Sequence, residues 1–187
     1  MRSALALFLL PPVVALAAPP KPAQPKPTMV TEDQLFAQLK KAERPEDAKP
    51  IEDKLKAMFR GSGSPSVDLL MTRVQQSLSA SDSATARTLA VAVTRIAPKY
   101  AEGWHVRAGI AAAGNDDTDA LVSLQKVVLL NPRNFEALTE LAGMVEDYGD
   151  KKTALKLYRR ALDVDPQLEE ARSKIRELTT TVEGRDI

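Results

Sequence analysis

Three equally spaced prolines constrain the fold of this chain more than any other feature of its sequence. Pro98, Pro132 and Pro166 lie 34 residues apart. Alignment on these prolines gives three units of equal length: 67–100, 101–134 and 135–168. Alanines and acidic residues recur at the same phase of each unit: Ala86, Ala120 and Ala154; Asp82, Asp116 and Asp150; Asp68, Glu102 and Glu136. A fixed period of this size is typical of stacked supersecondary units that bury their apolar faces against one another.

The hydrophobic pattern inside each unit predicts two antiparallel helices. In the third unit, apolar residues recur every three or four positions in both halves, as on one face of a helix: Leu138, Leu141, Ala142 and Val145, then Ala154, Leu155, Tyr158, Ala161 and Leu162. Gly149 and Asp150 predict a turn and a helix start between the halves. The residue before proline avoids the α region, so Asp165-Pro166 predicts where the second helix ends. We therefore expect an all-α helical-repeat solenoid of three helix-turn-helix units.

The markers that recur in the units resemble those of the tetratricopeptide repeat (TPR) family. The matching residues are Trp104, Ala108, Ala120 and Pro132 in the second unit, and Ala142, Ala154, Tyr158, Ala161 and Pro166 in the third. The first unit keeps Ala86 and Pro98, but Leu70, Val74 and Ala90 replace the family's aromatic and small residues. The resemblance covers roughly 100 residues and implies the fold. It also implies a concave groove lined by the first helix of each unit.

Two shorter stretches resemble exported repeat proteins of Gram-negative, particularly alphaproteobacterial, origin. They are SGSP-x-x-DLL, from residue 62, and PKYAEGWHVRA, from residue 98. This second resemblance implies a periplasmic location and supplies no enzymatic activity.

Helices are also predicted on both sides of the repeats. Thr31 and Gln34 form a capping-box pattern ahead of a short amphipathic helix. Residues 45–60 predict a second helix, bent near Pro50, with one apolar side: Ile51, Leu55, Met58 and Phe59. After Pro166, a further amphipathic helix is expected to cap the array, because the last repeat otherwise exposes its apolar face. The predicted domains are a helical pair at 31–65, a repeat domain with its capping helix at 66–183, and a tail at 184–187.

The first 30 residues are expected to direct export. Residues 1–17 combine Arg2, an apolar run and small residues at Ala15 and Ala17, which together predict a signal peptide cleaved after Ala17. Residues 18–30 are rich in proline and lysine and favour an extended, disordered linker. An uncleaved N-terminal segment that anchors the protein to the membrane is the alternative interpretation.

The composition excludes several classes of chemistry. The chain has no cysteine and one histidine, so thiolate catalysis, cysteine-bound metals and multi-histidine sites are not expected. Loss of Arg2 with the signal peptide would balance the 25 acidic residues with an equal number of basic ones. A neutral protein has no general electrostatic attraction to nucleic acid or to an anionic membrane. We predict no enzymatic activity, no catalytic residue, no cofactor and no metal ligand, with His105 as a structural or binding-surface residue.

The first helix of each unit supplies the candidate partner-binding groove. Its predicted residues are Asp68, Met71, Gln75, Glu102, His105, Gly109, Glu136, Thr139, Gly143 and Glu146. The recurrent acidic position, Asp68, Glu102 and Glu136, either complements the helix dipole or forms a rim that selects a basic peptide. The family's carboxylate-clamp Lys and Asn residues are absent, which disfavours binding of a chaperone C-terminus.

The predicted function is a periplasmic adaptor that binds an envelope protein or peptide in this groove. A structural or assembly subunit of an envelope complex, with its N-terminal segment retained as an anchor, is the alternative. The sequence leaves the partner and the oligomeric state open.

Overall fold

A computed structural model describes residues 30–184 of the 187-residue chain. The predicted signal peptide, nearly all of the proline-rich segment and the last three residues lie outside this range. The described residues form helices without any strand: α1 (Glu32–Leu39), α2 (Pro45–Phe59), α3 (Pro65–Ser79), α4 (Ser83–Ile96), α5 (Ala101–Ala113), α6 (Asp117–Leu130), α7 (Phe135–Asp147), α8 (Lys151–Val164) and α9 (Glu169–Val182). The expected all-α repeat architecture is confirmed, and α3 begins one residue before the predicted domain boundary.

Each repeat is a helix pair closed by the same turn: α3 with α4, α5 with α6, and α7 with α8. The turns place Ser81, Asn115 and Gly149 at equivalent positions with positive φ. The next residue in each unit, Asp82, Asp116 or Asp150, accepts a hydrogen bond from the backbone three residues on and caps the second helix. The recurrent aspartates are therefore N-caps, which satisfy backbone donors that would otherwise lack a partner.

The core follows the recurrent small residues. Ala86, Ala120 and Ala154 are fully buried, because the two helices of each unit approach closely at these positions. Tyr158 is the largest fully buried side chain, and it belongs to the cluster that joins units two and three with α9. Helix α9 closes the C-terminal end of the array through Ala171 and Leu178, as expected for a capping helix.

The N-terminal pair α1–α2 folds back over the array instead of extending it. Its apolar residues share a cluster with Phe135, the first residue of α7: Leu35, Phe36, Leu39, Ala48 and Leu55. Arg133 binds Glu32 at 2.7 Å, and the Gln167 side chain donates to the Ala42 carbonyl at 2.7 Å. On the predicted apolar side of α2, Leu55 is fully buried, whereas Met58 is 43% exposed. Packing against α1 and Phe135 buries Leu55, as the pattern predicts, and also Ala48.

Within residues 30–184, no helix combines the length and the apolar character that a membrane crossing requires.

Candidate functional site: the concave face of the repeats

The predicted groove contains two separate concavities. The larger concavity has a volume of about 690 Å³ and lies at units one and two. Four predicted residues line it: Asp68, Met71, Gln75 and Glu102. The rest of its lining is Arg60, Gly61, Thr72 and Tyr100. Its lining mixes apolar, amide, hydroxyl and charged groups. It is an open surface rather than an enclosed cavity, which suits a polypeptide segment better than a small molecule.

The smaller concavity, of about 320 Å³, lies where α2, α7 and α9 meet. It contains the predicted residues Glu136 and Thr139. Its remaining lining comes from α2, from α7, from the turn before α9 and from the start of α9: Glu52, Lys56, Phe135, Glu140, Gln167, Leu168, Glu169 and Glu170. The N-terminal pair thus forms one wall of the groove at unit three, a role that the sequence did not predict.

His105 lies between the two concavities and contacts a lining residue of each. Its Nε2 lies 3.1 Å from Glu140 Oε2 on α7, and its Nδ1 lies 3.5 Å from Glu102 Oε2 on its own helix. Burial alone would lower the pKa of His105, but hydrogen bonds to Glu102 and Glu140 and the charges of both carboxylates raise the pKa to about 10. At neutral pH the imidazole is therefore a cation between two anions, which links α5 to α7.

Each recurrent acidic residue has a partner within the protein. Asp68 accepts hydrogen bonds from the backbone and the hydroxyl of Ser62. Glu102 lies beside His105, and Glu136 Oε1 is 2.6 Å from Lys56 Nζ. Cations therefore offset part of the charge of Glu102 and Glu136, and the acidic rim stays a prediction beside the helix-dipole interpretation.

Three other predicted residues line neither concavity. Gly109 is exposed on α5, and Gly143 is half-buried near the Tyr158 hydroxyl. Glu146 accepts hydrogen bonds from Tyr158 at 3.1 Å and from Lys174 at 3.0 Å. Its carboxylate joins α7 to α8 and α9, so its main contacts are structural.

Arg60 and Tyr100 also line the larger concavity, although they are not among the residues predicted from the sequence. The Tyr100 hydroxyl donates to the Arg60 carbonyl at 2.6 Å and thereby holds the end of α2 against the start of α5. Burial raises the pKa of Tyr100 to about 12, assisted by the charges of Glu102 and Asp68. Tyr100 directly precedes α5, and this position beside the groove-lining helix was the available signal.

No group of three or more His, Asp or Glu side chains within residues 30–184 is arranged to hold a metal ion.

Comparisons with known proteins agree with this architecture. No family model matches the chain. A TPR repeat-containing protein of Rhizobium etli is 27% identical over 152 residues, which cover 81% of this chain and 74% of the relative. This origin agrees with the alphaproteobacterial resemblance of the sequence.

Solved structures of low sequence identity share the fold. The MamA protein gives a TM-score of 0.58 at 16% identity, over 83% of this chain and 85% of its own. The first TPR domain of RPAP3, bound to an HSP90 peptide, gives a TM-score of 0.57 at 16% identity. The match covers 63% of this chain and 93% of that domain. The Yersinia enterocolitica type III secretion chaperone SycD, in complex with a peptide of the translocator YopD, gives a TM-score of 0.57 at 10% identity. The match covers 63% of this chain and 95% of SycD. The 34-residue period, the in-phase markers, the packed helix pairs and these comparisons together show that the chain has the fold of tetratricopeptide-repeat proteins.

Proposed function

We propose that the protein is a non-enzymatic adaptor that binds a polypeptide segment of another protein on its concave face. The observation that carries this proposal is the open concavity of about 690 Å³ at units one and two, which α2 leaves accessible. Structures with the same fold, RPAP3 and SycD among them, were solved with peptides bound. The same mode of use is our proposal for this chain.

The lining of this concavity indicates the kind of segment that it accepts. Met71 supplies apolar contact area, while the side chains of Thr72 and Gln75 can exchange hydrogen bonds with a peptide backbone. The lining contains one cation, Arg60, and two carboxylates, Asp68 and Glu102. Glu102 also lies 3.5 Å from the imidazole of His105, which offsets part of its charge. We expect a segment of mixed apolar and polar residues rather than a strongly basic or acidic one.

We further propose that the protein acts in the periplasm, on a component of the cell envelope. The support is the signal-peptide pattern of residues 1–17 and the proline-rich segment that follows it. A spacer of this composition would separate the processing site from the folded repeats.

Capture of partners by matched surface variants tests the adaptor proposal. Met71→Glu places a carboxylate in the concavity, whereas Val122→Glu makes the same kind of change on the exposed surface of the outer helix α6. Crosslinking in cells should capture a partner protein. Met71→Glu should lower the yield of captured partner at least tenfold, whereas Val122→Glu should leave it unchanged. Equal capture by both variants, with both folded, would exclude the concave face as the binding surface.

A second candidate function, assembly subunit of an envelope complex, is favoured by the open face of unit one. Leu69 on α3 is 57% exposed, and Ile96 at the end of α4 is 62% exposed. The residues at the position of Leu69 in units two and three, Gly103 and Ala137, are instead buried. Leu69→Lys with Ile96→Lys would release the protein from such a complex and leave groove binding unchanged. Release by Met71→Glu instead would favour the adaptor function.

A further inference from the structure

A third concavity lies beside the groove, between the end of α2 and the turn that leads into α5. It has a volume of about 520 Å³, and we call it the α2–α5 cleft. Its lining is mainly apolar and aromatic, with a few polar groups, and includes Glu32, Met58, Phe59, Ser62, Pro98 and Tyr100. Gly61 and Tyr100 also line the larger concavity, so the cleft and the larger concavity are continuous.

Two hydrogen bonds fix the walls of the α2–α5 cleft. The Tyr100 hydroxyl donates to the Arg60 carbonyl at 2.6 Å, and the Trp104 indole donates to the Pro98 carbonyl at 3.0 Å. Met58 nevertheless remains 43% exposed at the end of α2. A preformed and partly exposed apolar surface can bind an apolar segment at a low cost in conformational entropy.

The proline-rich residues 18–29 join the described structure beside this cleft. Val30 and Thr31 connect them to Glu32, which lines the cleft, and Val30 is 47% exposed. Twelve residues in polyproline II geometry span about 37 Å. The 13-residue helix α5 is only about 20 Å long. The segment is therefore long enough to pass through the cleft and reach the larger concavity.

The composition of the segment matches the lining of the cleft. Residues 18–29 contain five prolines. Proline-rich segments bind to aromatic-lined grooves, because their polyproline II conformation is largely fixed before binding. Phe59 and Tyr100 supply aromatic rings in the cleft, and Met58 supplies an adaptable apolar side chain.

Charge complementarity favours continuation of the segment into the larger concavity. Residues 18–29 contain two lysines, Lys21 and Lys26, and no acidic residue. The lining of the larger concavity contains the carboxylates of Asp68 and Glu102 against the single cation Arg60. Exposed ion pairs are individually weak, but they orient a bound segment and disfavour the opposite charge.

The short covalent connection makes even a weak contact effective. A segment tethered close to its binding site experiences an effective concentration on the order of millimolar. An intrinsic dissociation constant of about 1 mM would therefore leave the site occupied about half of the time. A free ligand at micromolar concentration would need much tighter binding to reach the same occupancy.

We propose that residues 18–29 bind intramolecularly along the α2–α5 cleft and direct Lys21 and Lys26 toward Asp68 and Glu102 in the larger concavity. The segment then occupies part of the surface that we assign to the partner, and the partner displaces it on binding. This competition rests on the proposed function, whereas the intramolecular contact itself does not.

Disulfide formation between two introduced cysteines tests the contact without any partner. The chain has no cysteine, so Ala23→Cys in the segment and Thr72→Cys in the larger concavity form the only possible pair. The purified protein should form this disulfide in a glutathione redox buffer. Adding Lys21→Glu and Lys26→Glu should slow its formation at least fivefold, because the tether is unchanged and only the charge complementarity is lost. Met58→Lys should also slow it, since it removes apolar contact at an exposed position.

A matched control places the same two charge changes outside the segment and the cleft. Lys151→Glu with Lys152→Glu, at the exposed start of α8, should leave the rate of disulfide formation unchanged. Equal rates in all of these variants would overturn the proposal, because proximity would then come from the tether alone. A photoreactive side chain at Lys99 in the cleft that captures a second protein instead of residues 18–29 would also overturn it.

Capture of the partner separates this inference from the proposed function. Lys21→Glu with Lys26→Glu should raise the yield of captured partner about twofold, because a competing segment is removed. If disulfide formation fails the test but Met71→Glu still abolishes partner capture, the adaptor function stands and only the intramolecular contact is wrong.

Discussion

The imidazole of His105 on α5 lies 3.1 Å from the carboxylate of Glu140 on α7, and this contact joins the inner helices of units two and three on the concave face. Glu102, on the same helix as His105, approaches the other ring nitrogen to 3.5 Å. An imidazolium between two carboxylates fixes the relative position of two groove-forming helices. The single histidine of the chain therefore has a structural role at the centre of the candidate site.

His105→Gln should destabilise the protein in a pH-dependent way. The pKa of His105 is raised from 6.5 to about 10, so its stabilising contribution is complete below pH 6.5 and disappears as the pH rises through about 10. A charged, half-buried hydrogen bond of this kind contributes about 1 to 3 kcal/mol. Urea unfolding at several pH values should show that the variant has a lower free energy of unfolding than the wild type. This loss should be largest in mild acid and should shrink toward pH 10. Glu140→Gln should reduce the same difference, whereas a pH-independent cost of His105→Gln would contradict this role.

Two glycines on α5 should respond oppositely to the same substitution. A Cβ at Gly109 meets no atom within 4 Å, so Gly109→Ala should stabilise the helix by about 0.5 to 1 kcal/mol. A Cβ at Gly103 would lie 2.8 Å from Val93 Cγ1 and 3.1 Å from the Tyr100 ring. Gly103→Ala should therefore cost about 1 to 3 kcal/mol despite its better helix propensity. Thermal unfolding measures the change in stability of each variant. Equal stabilisation by both substitutions would show that units one and two are packed less closely at Gly103 than these distances indicate.

Arg133→Ala should loosen α1 without unfolding the repeats. The guanidinium binds Glu32 at 2.7 Å and Asp33 at 2.6 Å, and it lies 4.2 Å from the centre of the Phe36 ring. Partly exposed contacts of this kind together contribute about 1 kcal/mol, so amide hydrogen exchange in α1 should accelerate about fivefold. Arg159→Ala removes a comparable two-bond contact to Glu183 at the other end of the array and serves as the control. Equally faster hydrogen exchange of α1 in both variants would mean that Arg133 does not specifically hold α1 against the repeats.

The repeats could be predicted from the sequence because their determinants are local. Prolines end the outer helices, Asp82, Asp116 and Asp150 cap them, and the alanines of the helix contacts recur every 34 residues. The same phase identified the residues of the inner helices, including Met71 and Gln75 in the larger concavity. Periodicity therefore gives the architecture, while the family resemblance implies which helices line the concave face.

The position of α1–α2 could not be predicted from such signals. It depends on contacts between residues more than one hundred positions apart, such as Arg133 with Glu32 and Gln167 with Ala42. The burial of each α2 residue is decided by what the helix packs against, so the apolar pattern alone does not show that Ala48 is buried while Met58 is 43% exposed. The partner of Glu136 was missed for the same reason, because nothing near it in the sequence identifies Lys56.

N-terminal sequencing of the protein from fractionated cells tests the proposed location. The pattern at Ala15 and Ala17 predicts a mature chain that begins at Ala18 and is recovered in the periplasmic fraction. Ala17→Leu removes the small residue before the predicted cleavage site and should leave the precursor uncut, while Ala6→Leu in the apolar run is the control. An intact Met1 in the membrane fraction of wild-type cells would instead support the retained anchor.

Position-specific photo-crosslinking tests the central claim, that the concave face at units one and two binds a polypeptide partner. A photoreactive side chain at Gln75 lies in the larger concavity, and one at Lys126 lies on the exposed surface of α6. The proposed function predicts that irradiation of cells yields a discrete protein adduct from Gln75, that Met71→Glu abolishes it, and that Lys126 yields none. Adducts from Lys126 alone, or a Gln75 adduct that Met71→Glu leaves unchanged, would contradict it.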